Sequence, residues 1–287
     1  MMPSAFDSWT IGQLASMACL LECIAPKPGN VHRGADFEDL TLLDFATSAV
    51  GFGASIDRFV EQKIGKMILG CVQHTQQLVG TNTNLGISLL LVPIAKAALS
   101  GPVNQASIAE VLSQLDSDDA SSVYAAIQMS GAGSLGKSKE HDLKGKPPQD
   151  LVEAMRFSME TDFVARQYAN GFADLFATII PELHHRIQTT TTTQAIVATH
   201  LFVMAKFPDS LIGRKCGIKI AEQSAIMADR VLQVFETDVE QYERRIGELD
   251  FWLRSDGHRR NPGTTADLIC AAIFVLLIKG DLKPRFT

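Results

Sequence analysis

Residues 11–33, IGQLASMACLLECIAPKPGNVHR, decide the fold class. Leu14, Met17, Ala18, Leu21 and Ala25 fall on one stripe at i, i+3, i+4 spacing, the period of a helix buried on one face. That helix has to stop at Pro26-Lys27-Pro28-Gly29, because proline donates no backbone hydrogen bond and its ring clashes with the preceding turn. Glu22 lies at the edge of the stripe, beside Ala18 and Ala15, and is expected to be partly buried.

The same period recurs outward from this segment. A helix is predicted over 40–60, with Leu43, Ala46, Val50 and Gly53 on one face and Asp36 or Asp39 as its cap, and another over 64–78. Thr81-Asn82-Thr83-Asn84 supplies cap residues for a helix through the apolar run 87–99, where Pro93 is expected to kink it or break its ladder. Residues 107–128 read as two short helices split at Ser117-Asp118-Asp119, and 130–150 as a Gly/Pro-rich loop. Further helices are predicted over 151–176 (interrupted near Asn170-Gly171), 195–206 after the threonines at 189–193, 210–235, 239–254 and 264–279. No βαβ alternation and no period-2 series occurs, so the fold class is all-α: one multi-helix domain, 1–287, of roughly ten to twelve helices.

Composition narrows the function classes. A hydrophobic content of 46% excludes a disordered chain. With 26 Lys+Arg against 32 Asp+Glu, a net charge of -6 argues against nucleic acid as a partner. No apolar stretch reaches the roughly 20 residues that a membrane-spanning helix needs, and Met1–Thr10 lacks the pattern of a secretory leader. Cys19, Cys23, Cys71, Cys216 and Cys270 are odd in number and form no metal-ligand pattern, as expected of a reduced, cytoplasmic protein. The apolar C-terminal helix leaves room for a homodimer interface.

Polar chemistry gathers where small, Gly and Pro residues crowd the helix ends, and helix N-termini suit phosphates. Lys27, His32 and Arg33 place three potential cations on the first loop, beside Glu22, which is expected either to hold Mg²⁺ or a proton or to pair with Lys27 or Arg33. Asn82, Thr83 and Asn84 precede a helix, as do Asp209 and Ser210 ahead of Arg214 and Lys215. Thr264 with Asp267 has capping-box spacing, and Asp162 with Arg166 has ion-pair spacing. Gly131-Ala132-Gly133-Ser134-Leu135-Gly136 matches GxGxxG but follows no predicted strand, so it fails as a dinucleotide fingerprint.

Taken in order, these segments resemble the triphosphoribosyl-dephospho-CoA synthase family, which serves citrate lyase and malonate decarboxylase. Glu22 followed by Pro26-Lys27-Pro28-Gly29-Asn30-Val31 is similar to the family's Glu…PKPG-x-V signature, and Asn82-Thr83-Asn84-Leu85-Gly86 to its NT-x-x-G motif. Gly133-Ser134-Leu135-Gly136 with His141-Asp142, Asn170-Gly171-Phe172, Asp209-Ser210 with Arg214-Lys215, and Asn261-Pro262-Gly263-Thr264-Thr265-Ala266-Asp267 resemble four more of its motifs. His32, Ser134, Ser210 and Thr264-Thr265 depart from the citrate-lyase branch and resemble the archaeal-type branch.

The resemblance implies a transferase that moves the triphosphoribosyl group of ATP to the 2'-hydroxyl of 3'-dephospho-CoA or a related alcohol and releases adenine. The implied ligands are ATP, a CoA-like acceptor and Mg²⁺. Candidate catalytic residues are Glu22, Asp162 and Asp209, with the base unassigned among the carboxylates; candidate metal ligands are Glu22, Asp36, Asp209 and Asp267. Substrate and phosphate contacts are expected from Lys27, Gly29, Asn30, His32, Arg33, Asn82, Thr83, Asn84, Gly86, Arg214, Lys215, Asn261, Gly263 and Thr264. The competing classes are an all-α N-glycosidase or phosphohydrolase with water as acceptor, and a nucleotide- or CoA-binding protein without turnover.

Overall fold

Side-chain caps decide where most of the helices begin. Thr10 and Gln13 form a reciprocal capping box at the first helix, as do Thr41 with Asp44, Asn104 with Ser107, Asp116 with Asp119 and Thr191 with Gln194 further along. The computed structural model describes residues 8–131 and 148–283. It contains α1 (Ile11–Ile24), α2 (Leu42–Arg58), α3 (Ile64–Val79), α4 (Leu85–Ser100), α5 (Gln105–Ser113), α6 (Ser117–Met129) and α7 (Leu151–Ser158). There follow α8 (Phe163–Asn170), a π-helical turn (Leu175–Ile179), α9 (Ile180–Thr189), α10 (Thr192–Lys206), α11 (Ser210–Cys216), α12 (Ile218–Leu232), α13 (Val239–Arg254), the short extended segment β1 (Ser255–His258) and α14 (Gly263–Lys279). The Gly133-Ser134-Leu135-Gly136 and His141-Asp142 motif lies outside the described residues.

The all-α expectation holds, but the helix number exceeds ten to twelve. Residues 210–235 are not one helix: Gly217 at φ +94 separates α11 from α12. A second break, at 159–162, separates α7 from α8. The face expected of α2 is also corrected. Leu43 and Val50 are 74% and 62% exposed, and the helix instead buries Ser48, Ala49, Phe52, Ser55 and Ile56. The reason is a close approach: a Cβ on Gly53 would lie 2.0 Å from Ser16 Oγ, and one on Gly12 2.2 Å from the Gly53 carbonyl oxygen. Two glycines facing each other let α1 and α2 touch along their small-residue faces. The cap of α2 is Thr41 rather than Asp36 or Asp39, although Asp36 Oδ1 accepts the Leu42 N–H at 2.7 Å.

Helix α14 is the axis of the fold. Every residue from Leu268 to Leu277 is buried, and the helix packs against α1, α4, α9 and α10. A helix that is apolar all round is stable only inside a core or a bilayer. Among the described residues no single helix is long and apolar enough to cross a membrane.

Pro93 does not end α4, which runs unbroken through it. Its missing N–H leaves the Leu89 carbonyl, one turn earlier, without its helical donor. The buried Tyr168 hydroxyl of α8 donates to that oxygen at 2.8 Å. Tyr168→Phe is therefore expected to lower stability by about 1–2 kcal/mol, read as a urea midpoint. Pro93→Ala supplies an N–H in place of the hydroxyl, so in that background the same substitution costs clearly less; an undiminished cost removes the account.

Candidate active site

The C-terminal turn of α1 carries a buried ion pair. Glu22 and Lys27 are 5% and 0% exposed, and Lys27 Nζ lies 2.9 Å from Glu22 Oε1. The same ammonium donates to the Glu22 carbonyl and, at 3.3 Å, to the Ala25 carbonyl. Three donors thus meet three acceptors, which a desolvated cation requires. Of the two readings the sequence left open for Glu22, the pair with Lys27 is the one the structure shows.

The Pro-Gly loop is clamped from α13. Gly29 sits at φ +76, donates its N–H to Asp250 Oδ1 at 2.7 Å, and leaves no room for a Cβ against Leu253. Arg254 pairs with Asp250 at 2.9 Å, donates to the Asn30 carbonyl and lies 4.8 Å over the Phe37 ring. The Asn30 amide donates to Nε2 of the fully buried His200 at 3.5 Å. Burial first, then the Lys27 charge, pushes the His200 pKa well down, so its imidazole is neutral. No local pattern in the sequence singles out Asp250, Arg254 or His200 as partners of this loop. His32 is half-buried, its Nδ1 accepts the Gly34 N–H at 3.1 Å, and burial lowers its pKa; Arg33 is exposed.

Three helix N-termini meet beside this loop. Asp209, 2% exposed, accepts through Oδ1 from Leu211 and Ile212, the first turn of α11, at 2.9 and 3.0 Å. Its Oδ2 accepts from both the backbone and the hydroxyl of Thr265, in the first turn of α14, at 2.8 Å. Ser210 Oγ accepts the Phe163 N–H at the start of α8, at 3.1 Å, and donates to Thr264 Oγ1 at 3.1 Å. The Thr264–Asp267 capping box expected from sequence is not formed; Pro262 precedes α14 without a side-chain cap. Asp162 caps α8 and pairs with Arg214 of α11, whereas Arg166 pairs with Asp174 at 2.9 Å, so the expected Asp162–Arg166 pair is absent.

The start of α4 completes the junction. Asn84 is the N-cap residue but makes no side-chain cap bond; Asn82 Oδ1 accepts from the Asn84 and Leu85 N–H groups at 3.3 and 3.1 Å. Thr83 bonds Ser48 at 2.7 Å. Gly86 is a glycine because Asp267 of α14 lies against it: a Cβ there would be 2.0 Å from Asp267 Oδ2. Gly263 is likewise packed against Leu211, 2.7 Å from where its Cβ would be. Asp267 has no hydrogen bond among the described residues. Burial, then the charges of Glu22 and Asp209, raises its pKa well above the usual carboxyl range, with Arg214 opposing. Burial also raises the pKa of Asp209, against its hydrogen bonds, and lowers that of Arg214, whose Nε is unpaired. Lys215 and Asn261 are half-buried at the rim, with Arg259 donating to the Lys215 carbonyl at 3.2 Å.

The expected metal ligands do not form a coordination group. Among the described residues no three His, Cys, Asp or Glu could hold a metal ion. Both Asp209 oxygens are committed to four hydrogen bonds, Asp36 is exposed and receives the Leu42 N–H, and Glu22 is held by Lys27. Mg²⁺ commonly uses one or two carboxylates together with substrate phosphates, and that is all these residues can offer.

A carboxyl whose folded pKa is raised is fully compatible with folding below its unfolded pKa, about 3.9, and stability is lost as pH rises through the folded value. Asp267→Asn removes that loss. The variant is expected to melt higher than the parent at pH 7–8 and to lose that advantage near pH 4, as measured by calorimetry. A parent that melts higher than the variant at pH 8 would contradict the raised pKa of this carboxyl.

No curated protein and no solved structure matches the chain. The profile of the CitG family, ATP:dephospho-CoA triphosphoribosyl transferase, matches residues 8–286. With nearly its whole length matched, and with Glu22-PKPG, the Asn82–Gly86 segment, Asp209–Lys215 and Asn261–Asp267 gathered at one junction, the chain belongs to the family of ATP:dephospho-CoA triphosphoribosyl transferases.

Proposed function

We propose that the junction of α1, α4, α11 and α14 binds ATP and passes its 5-triphosphoribosyl group to the 2'-hydroxyl of 3'-dephospho-CoA. The bond from C1' to the adenine nitrogen breaks, and a bond from C1' to the acceptor oxygen forms. Adenine gains one proton and the acceptor hydroxyl loses one. The observation that carries the assignment of roles is Asp267: a half-buried carboxyl without a hydrogen bond among the described residues, near Glu22 and Arg214, with its pKa raised.

The raised pKa favours the protonated form of Asp267, the form that a general acid requires. It gives its proton to the departing adenine ring and recovers one from the acceptor hydroxyl, so the proton count closes on one residue. Glu22, held against Lys27, faces the positive charge that develops on the ribose in an oxocarbenium-like transition state. Arg214 and Lys215, with the N–H groups at the starts of α11 and α14, hold the triphosphate. Asp162 and Asp209, named from sequence as candidate acids or bases, support this arrangement through the caps and the Arg214 pair. Mg²⁺ is assigned to the nucleotide's own phosphates, and cytoplasmic location follows the substrates.

Free adenine is the readout. With ATP, Mg²⁺ and 3'-dephospho-CoA the parent releases adenine, and without the acceptor it does not; release in water alone would instead favour an N-glycosidase. Asp267→Asn is expected to lower kcat by about 10²–10⁴ while ATP affinity changes only a few-fold. Parental kcat is expected to fall as pH rises through the Asp267 pKa. Turnover at the parental rate in Asp267→Asn would remove the acid role.

A further inference from the structure

A small cavity opens between α1, α2 and α4, directly beside Glu22. Its volume is about 10 Å³, room for one water-sized group. Its walls are largely apolar, with Phe45 and Phe52 among them, and its polar lining comes from Glu22, Ser48, Thr83 and Asn84. Ser48 and Thr83 satisfy each other at 2.7 Å. Asn84 does not close its account. It is 4% exposed, its Oδ1 accepts from the Thr75 hydroxyl at 2.8 Å, and its Nδ2 has no hydrogen-bond partner. Glu22 likewise has one oxygen on Lys27 and no hydrogen bond at the other among the described residues.

One free carboxylate oxygen and one orphaned amide N–H therefore line a space of one-group size. A hydroxyl is the group that donates and accepts through a single oxygen. Buried polar groups are normally paired, and an orphaned amide in a one-group cavity marks a position for a partner. We infer that the cavity binds the 2'-hydroxyl of the ATP ribose, which donates to Glu22 and accepts from Asn84. The inference rests on the reading of the junction as the ATP site. The 2'-hydroxyl is chosen over the 3' because Glu22 lies next to Asp267, whose proton goes to the base on C1', and the 2' carbon adjoins C1'. A hydrogen bond to the hydroxyl beside the reacting carbon also strengthens as charge develops there, as in glycoside hydrolysis. Asn84 is thus a specificity residue for the sugar, and Glu22 serves the sugar as well as the charge.

The test is equilibrium binding of three nucleotides with Mg²⁺ to the full chain: ATP, 2'-deoxy-ATP and 3'-deoxy-ATP. Binding is preferred to rate, because removing the 2'-hydroxyl alters the glycosidic bond itself. The parent is expected to bind 3'-deoxy-ATP within a few-fold of ATP and 2'-deoxy-ATP at least tenfold more weakly, since a site built around a hydroxyl rejects the analogue that lacks it by up to about 10⁴–10⁵. Asn84→Ala is expected to weaken ATP about to the 2'-deoxy level and to leave 2'-deoxy-ATP unchanged. Equal affinities for all three nucleotides would mean that the cavity holds an ordered water only, and would overturn the inference while leaving the transferase reading intact. Selection against 3'-deoxy-ATP, or an Asn84→Ala variant that loses all three nucleotides equally, would also overturn it. No nucleotide binding at all would remove the ATP site and the inference together. The comparison within the parent keeps the test decisive even where Asn84→Ala fails to fold.

Discussion

The site depends on one carboxylate, Asp209, joining the first turns of two helices. A fully desolvated carboxylate is unfavourable unless it is hydrogen-bonded on every side. Here four donors from α11 and α14 reach its two oxygens. That requirement fixes the two N-termini against each other, and Ser210 extends the tie to α8 through Phe163 and Thr264. Everything else at the junction is placed by consequence. Arg214 projects from the short α11 onto Asp162, and Asp267 follows Thr265 by two residues and comes to rest on Gly86. Three helix N-termini tied together in this way bring partial positive charge to one region.

Such a region gathers three carboxyl groups, Glu22, Asp209 and Asp267. Glu22 and Asp209 are close enough to raise the Asp267 pKa, with Arg214 opposing. Lys27 neutralises Glu22 from the far side and is fully buried in doing so. Departures from local consistency are expected where function competes with stability. The raised pKa of Asp267 and the unpaired Asn84 amide and Arg214 Nε at the junction fit that pattern. The cations differ in exposure: Lys27 is fully buried on Glu22, whereas Lys215 and Arg259 stand at the rim.

Much of the helix order could be read from sequence because caps and periodicity are local. The Thr191 start of α10, the Asn170-Gly171 interruption and the split between α5 and α6 all follow from neighbouring residues. The face of α2 could not be read, since Gly12 and Gly53 bring α1 so close that small residues go inward while Leu43 and Val50 stay outside. The polar clusters at helix ends were visible; their roles were not. Whether Lys27 meets a phosphate or Glu22 depends on burial, which spacing does not encode. The Asp250–Gly29 bond links residues 221 positions apart, beyond any local pattern. Asp209 read as a cap, but its second helix is supplied by Thr265, 56 residues later.

The most direct measurement is hydrogen–deuterium exchange of the full chain with and without ATP and Mg²⁺. If nucleotide binds where the helix N-termini converge, protection is expected in segments 80–90, 207–217 and 260–268, with a smaller change at 19–30. A second concavity of about 370 Å³, between the Pro26–Pro28 turn and α13 and lined by Thr193, Tyr242 and Ile246, provides the internal comparison. Protection confined to that concavity, with the three N-terminal segments exchanging as in the free protein, would contradict the account.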